Sequence, residues 1–179
     1  MQPVFDSLLD IMKEPLRPDR GVKTDNSILL VYPPDKELEF RGQLFDRFLP
    51  AIQAQGSTVA TLDLAGFMFC GLSEDQVRTL QEDEFDDYRW MLQGLSKRLE
   101  ASLQAKLAEV AQQSRTENIV VYGTVALYPM VRFGEILRGL RDLKCRIALA
   151  FPGEERGGRL HFMGQPDGGN YLAVKLCWR

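Results

Sequence analysis

Residues 119–140, IVVYGTVALYPMVRFGEILRGL, change character once. The opening IVVY is β-branched and aromatic with no charge, the composition of a strand covered on both faces. Gly123 and Pro129 break the run. From residue 130 to 143 the apolar spacing becomes that of a helix. A strand, a corner and a helix in this order form the repeating unit of α/β proteins, and such a corner is where many of them hold a ligand or partner.

The same alternation recurs on either side. SILLVY (27–32) is a second uncharged strand-like run. Pro33, Pro34 and Asp35 turn the chain, with Asp35 suited to cap the next helix. That helix strings Leu38, Phe45, Phe48, Leu49 and Ile52 along one stripe, and Gly56 ends it. STVATLDL (57–64) follows as a strand, and residues 74–113 read as mostly helical. Their stripe of Leu92, Leu95, Leu99, Leu103, Leu107 and Val110 drifts from a heptad, which favours core packing over a coiled-coil seam. CRIALAF (145–151) is the last buried strand, and PGEERGG is a turn-rich connection. RLHFMG (159–164) and YLAVKL (171–176), joined through QPDGG, suggest an antiparallel pair. Ahead of everything, VFDSLLDIM (4–12) has helical spacing, which Pro15 and Pro18 stop. The expected fold is therefore α/β: a three-layer sandwich with a mostly parallel central sheet, Rossmann-like or degenerate P-loop-like, and a C-terminal antiparallel hairpin. Residues 1–26 would be an N-terminal helix and connection, and 27–179 a single α/β domain.

Composition fits that picture. The 179 residues are 45% hydrophobic and 26% charged, the balance of a soluble globular protein. The apolar runs fall far short of the roughly 20 residues of a membrane span, and the first residues do not read as a secretory signal. Cys70, Cys145 and Cys177 share no metal-binding spacing, so reduced thiols in the cytoplasm are expected. A net charge of −3 argues against broad non-specific DNA binding.

The corner VYPPDKELEFRG (31–42) is a poor phosphate cradle. It has no glycine before the helix, its paired prolines offer no amide donors, and Asp35, Glu37 and Glu39 would repel an anion. Other catalytic patterns are equally thin. His161 is the only histidine and lies in a strand-like run, which suits a structural role. No G-x-S-x-G elbow is present. The acidic run QEDEFDDY (81–88) lacks the glycine of a calcium loop and reads as a solvated or partner-docking face. No cofactor and no metal are expected, and an independent enzyme is disfavoured.

The unusual residues gather at the carboxyl ends of the strands: Pro33-Pro34-Asp35, Gly123-Thr124 with Tyr128-Pro129, and Pro152-Gly153-Glu154. Arg132 falls in the first turn of a helix, where a cation opposes the helix dipole. Pairing with Glu135 is its first explanation and ligand contact its second. Arg138, Arg141, Lys144 and Arg146 form a basic run that could meet nucleic acid, or simply a solvated face.

GTVALYPMVRFGEILRGL, FPGEERGGRLHFMG and NYLAVKL, preceded by LLVYPPDKELEFR, resemble in their order the BrxB family of BREX phage-defence systems. The resemblance runs from about Ser27 to Leu176. It implies a small cytoplasmic component of a multi-gene system that restricts phage and marks host DNA by adenine methylation. It further implies a non-catalytic assembly role, with other BREX components as partners, a PglZ-type protein first among them, and nucleic acid met only through the complex. Carried onto this chain, the contact residues would be Tyr128, Pro129, Arg132, Pro152, Gly153, Asn170 and Tyr171, with Glu135 beside Arg132. Leu172 departs from the family pattern, which often has a second aromatic there. A degenerate nucleotide-binding or nucleic-acid-binding regulatory domain is the competing expectation.

Overall fold

The computed structural model describes residues 2–14, 16, 26–70, 73–75, 78, 88–113, 116–140, 142–167 and 171–178. The acidic stretch 81–87, Arg141 and Asn170 lie outside the described residues. In chain order the elements are α1 (Gln2–Lys13), β1 (Ser27–Tyr32), α2 (Glu37–Gln43), a π-helical turn (Leu44–Phe48), α3 (Leu49–Ala54) and β2 (Ala60–Asp63). Then come α4 (Tyr88–Gln113), β3 (Asn118–Tyr122), α5 (Phe133–Gly139), β4 (Arg146–Arg156), β5 (Arg159–Phe162), β6 (Gln165–Pro166) and β7 (Val174–Cys177).

Five strands form a parallel ribbon in the order β2-β3-β4-β1-β7. Successive side chains of a strand face opposite sides, so each strand feeds two cores. Leu29, Val31, Ile119, Val121, Ile147 and Leu149 pack under α4 and α5, against Leu99, Leu103, Leu107, Phe133, Ile136 and Leu137. Ile28, Leu30, Tyr32, Val120, Ala148 and Ala150 pack on the other face, against Phe5, Leu8 and Met12 of α1 and Phe40, Leu44, Phe48 and Ile52. The result is the expected three-layer α/β sandwich, and from Leu95 to Val110 the stripe of α4 is core packing, the Leu92 side chain lying outside the described residues.

Two local readings change. The helix after β1 buries Phe40, Leu44, Phe48 and Ile52, while Leu38 is 85% exposed and Phe45 40% exposed. The π turn over Leu44–Phe48 explains it: a wider turn keeps a strict four-residue spacing on one face, where an unbroken α-helix would rotate it away.

The second change concerns the hairpin, which is present but shifted. β4 continues four residues or more past the sheet core and pairs antiparallel with β5, from Gly153 opposite Phe162 to Arg156 opposite Arg159. β5 then pairs antiparallel with β6. Gly157 and Gly158 both have positive φ, as do Met163 and Gly164, the signature of tight two-residue hairpin turns. The PGEERGG stretch is thus strand and turn rather than a loose connection. β7 leaves this hairpin and pairs parallel with β1, Ile28 opposite Val174 through Val31 opposite Cys177.

A candidate docking face at the carboxyl end of the sheet

Proline dictates the first corner. Pro33 stays extended at φ −59° and ψ 136°, and Pro34–Lys36 form a single 3-10 turn. The amide of Lys36 donates to the Pro33 carbonyl at 2.9 Å, and that of Glu37 donates to Pro34. These amides are therefore committed inside the turn. Asp35 does not cap the helix: Lys36 holds the N-cap position of α2, with no side-chain hydrogen bond.

The side chains beyond this turn form a cluster that the sequence reading did not single out. Glu37 accepts hydrogen bonds from the Tyr32 hydroxyl and, at 2.8 Å, from Arg41 Nε. Arg41 reaches on toward Asp63, its Nη1 lying 3.9 Å from Oδ2, and its guanidinium lies 5.3 Å from the centre of the Tyr122 ring. Asp63 accepts the amide of Ala65 at 2.9 Å. Phe45 meets the same Tyr122 ring edge-on at 5.3 Å. Tyr32, Asp63 and Tyr122 are the last residues of β1, β2 and β3, so topology alone brings them to one end. Burial, and then Glu37, holds the Tyr32 hydroxyl well above its ordinary range. Burial, reinforced by Asp63, raises Tyr122 as well. Both remain neutral donors at ordinary pH. Gly123 is required next to this cluster: its φ is +70°, and a Cβ there would come within 2.5 Å of Asp63 Oδ1.

The corner after β3 is built separately. Thr124 donates to the Ala150 carbonyl at 2.9 Å, tying it to β4. The Tyr128–Pro129 bond is cis. Two residues of α4, one turn apart, then hold the entry to α5. Ser96 donates to the Met130 carbonyl, and Glu100 accepts the Arg132 amide at 3.2 Å.

Of the residues expected at the interface, the structure brings Tyr128, Pro152, Gly153 and Tyr171 together around Phe162. Phe162 stacks on Tyr128 at 5.2 Å and meets Phe151 edge-on at 5.0 Å, and Phe151 in turn meets Tyr171 at 6.0 Å. Tyr171, Pro152 and Gly153 are buried, so they shape this face from below. Pro129, Arg132 and Glu135 are exposed on it. Arg132 is the N-cap residue of α5, and its guanidinium has no ion-pair partner among the described residues. Glu135 pairs instead with Arg138, at 3.0 Å, because three residues along a helix bring the two onto one side.

The basic run divides. Arg138 is engaged by Glu135, and Lys144 is exposed. Arg146 is a correction to the solvated or nucleic-acid-facing reading: only 9% exposed, it points inward beside Asn118, its cross-strand neighbour. Burial lowers its basicity and Glu117 opposes that effect.

Next to it, burial pushes the Cys145 thiol up to about 11. A group raised on folding contributes stability below its ordinary value and loses it as pH climbs through the folded one. The thermal midpoint is accordingly expected to fall between about pH 9 and 11 as Cys145 titrates, followed by the raised Tyr32 and Tyr171. Below that window iodoacetamide should modify exposed Cys70 and spare Cys145. Mass spectrometry of the labelled peptides checks this, and rapid labelling of Cys145 at pH 8 would contradict the burial argument.

Among the described residues no group of three or more His, Cys, Asp or Glu side chains is placed to hold a metal ion. No helix among them is long and apolar enough to cross a membrane.

No curated protein matches the chain, and no solved structure does. The family model described as BREX protein BrxB matches residues 62–176, more than half of the chain and the span that carries the Asp63–Tyr122 cluster, the Arg132 corner and the β4–β6 arm. With that match laid over the resemblance in its corner motifs, the chain belongs to the BrxB family of BREX phage-defence systems.

Proposed function

We propose that this chain is a non-catalytic assembly subunit of a BREX-type complex in the cytoplasm, docking a PglZ-type component through the face around Arg132. The observation that carries this reading is the fate of the sheet's carboxyl end. There α/β proteins open a crevice for ligands. Here β1 and β3 stop at Tyr32 and Tyr122 while β4, lying between them, runs on and folds back as the β4–β6 arm. The chain's own arm fills the central position. The polar groups beside it are spent on one another, through Tyr32, Glu37, Arg41 and Asp63.

What faces outward is a contact surface. Pro129, Arg132 and Glu135 project from a base of Tyr128, Pro152, Gly153 and Tyr171. An unpaired arginine on a rigid apolar base is the kind of residue that dominates an interface. Nucleic acid is met through the complex: of the basic run, Arg138 is engaged and Arg146 buried.

Arg132→Glu is expected to weaken co-purification with the PglZ-type component about tenfold or more, since it places like charge where a carboxylate was met. Its melting temperature should match the wild type, because the guanidinium has no ion-pair partner among the described residues. If the wild-type protein associates with no component of its system, the assembly role is wrong.

A further inference from the structure

The link from Tyr128 to Arg132 is steered from outside itself. Pro129 has no amide proton to give. The Val131 amide closes a turn onto the Leu127 carbonyl at 3.0 Å. The Met130 carbonyl and the Arg132 amide, on either side of it, are held by Ser96 and Glu100 of α4. These two anchors match the link in length. Four residues of helix rise about 6 Å, and two residues of extended chain cover about 6.6 Å. Met130 to Arg132 is thus laid along α4 as a short extended piece, with Arg132 at φ −99° and ψ 98°.

Extended chain turns successive side chains to opposite sides. Val131, between the anchors, is 5% exposed and shares its core with Leu99, which lies between Ser96 and Glu100 on α4. Arg132, the next residue, is exposed. A slip of one residue would exchange the two and send the arginine toward the core. The register of this link therefore decides whether the guanidinium faces out.

Glu100 fixes that register in an unusual way. Arg132 is the N-cap residue of α5. In a capping box the third residue of the helix, a Glu or Gln, reaches back to the N-cap amide. Glu135 holds that third place here, but its carboxylate is taken by Arg138 at 3.0 Å. Glu100 supplies the missing acceptor from the neighbouring helix, meeting the Arg132 amide at 3.2 Å.

We propose that Glu100 is the positioning residue of the docking corner: by holding the Arg132 amide it sets the register that turns the guanidinium outward. It acts on the partner through Arg132 and does not touch the partner itself. This rests on the docking face proposed above and adds to it a determinant from a different helix.

Affinity for the purified PglZ-type component, measured by calorimetry, is the first test. Glu100→Ala should weaken binding about fivefold or more, the order of a lost cap. Glu100→Gln keeps an oxygen at the same reach, as glutamine does in capping boxes, and should bind within about twofold of the wild type. In an Arg132→Ala background, Glu100→Ala should add less than about twofold, because the two residues act as one. Hydrogen exchange of the Arg132 amide in the free chain is a readout independent of the partner. It should quicken at least about tenfold in Glu100→Ala and return toward the wild-type rate in Glu100→Gln. A Glu100→Ala chain with wild-type exchange or wild-type affinity overturns the proposal. So does a Glu100→Gln chain as weak as Glu100→Ala, or an undiminished loss in the Arg132→Ala background. These outcomes leave the docking face standing. Arg132→Ala binding as tightly as the wild type would instead overturn the face, and the positioning role with it.

Discussion

Deleting residues 2–14 is expected to leave a chain that is barely stable or insoluble. The helix they form is the lid of one of the two cores. Phe5, Leu8 and Met12 are buried, Leu8 completely, and the Phe5 ring sits 5.5 Å from both Phe40 and Phe48. Burying a large apolar side chain contributes about 1.5–3 kcal/mol, so these three are worth at most about 9 kcal/mol. A whole domain has only about 5–15 kcal/mol of net stability. Removal would also bare Phe40 and Phe48 as a contiguous aromatic patch, an aggregation liability. Leu8→Ala serves as the graded version, with an expected loss of about 2–4 kcal/mol from the cavity it leaves. Urea denaturation of the truncated and substituted proteins measures both. A truncated chain that unfolds at the wild-type midpoint would show that the second core closes without α1.

This helix illustrates what the sequence made legible. Its apolar spacing was plain, and so were the strands at 27–32 and 119–122, because a strand buried on both faces is an uninterrupted apolar run. Patterns of that kind depend only on neighbours along the chain. Features that depend on distant segments were less visible. The Tyr32–Glu37–Arg41–Asp63–Tyr122 cluster joins three strand ends and one helix. The only local hint of it was the four-residue spacing of Glu37 and Arg41, with a polar or aromatic residue closing each strand.

The π turn hid the true apolar stripe of the second helix, since Phe40, Leu44, Phe48 and Ile52 fit no ordinary helical drift. The partner of 171–176 was equally hidden. Its strand-like composition suits an antiparallel return or a parallel edge, and only the position of β1 in the sheet decides between them. Arg132 was legible as an exposed residue at a corner, but its nearest carboxylate in sequence belongs to Arg138 in space. Arg146 read as part of a basic run because charge is local in sequence, whereas its burial is set by β3 alongside.

Gly153→Ala is expected to cost about 3–4 kcal/mol, far more than the same change a few residues on. A Cβ at Gly153 would lie 2.0 Å from the His161 carbonyl oxygen and 3.0 Å from the Phe151 ring. Backbone cannot rotate aside as a side chain does, so β5 must move away from β4. Gly153 is the register partner of Phe162, and displacing β5 drags that ring from its seat among Phe151, Tyr128 and Phe133. Overpacking alone costs about 1–3 kcal/mol, and loss of a buried phenylalanine contact set approaches the 3–5 kcal/mol of a Phe→Ala change. Gly157 provides the contrast. Its φ is +56° and nothing lies within 4 Å of its Cβ position, so Gly157→Ala should cost only about 1 kcal/mol, the strain of a left-handed alanine. Thermal melts of the two variants side by side test the argument. Because Tyr128 and Pro129 stand on the Phe162 cluster, Gly153→Ala should also weaken partner binding, while Gly157→Ala leaves it intact. Equal melting temperatures for the two variants would mean that the arm is not packed as described, and that the surface around Arg132 has some other support.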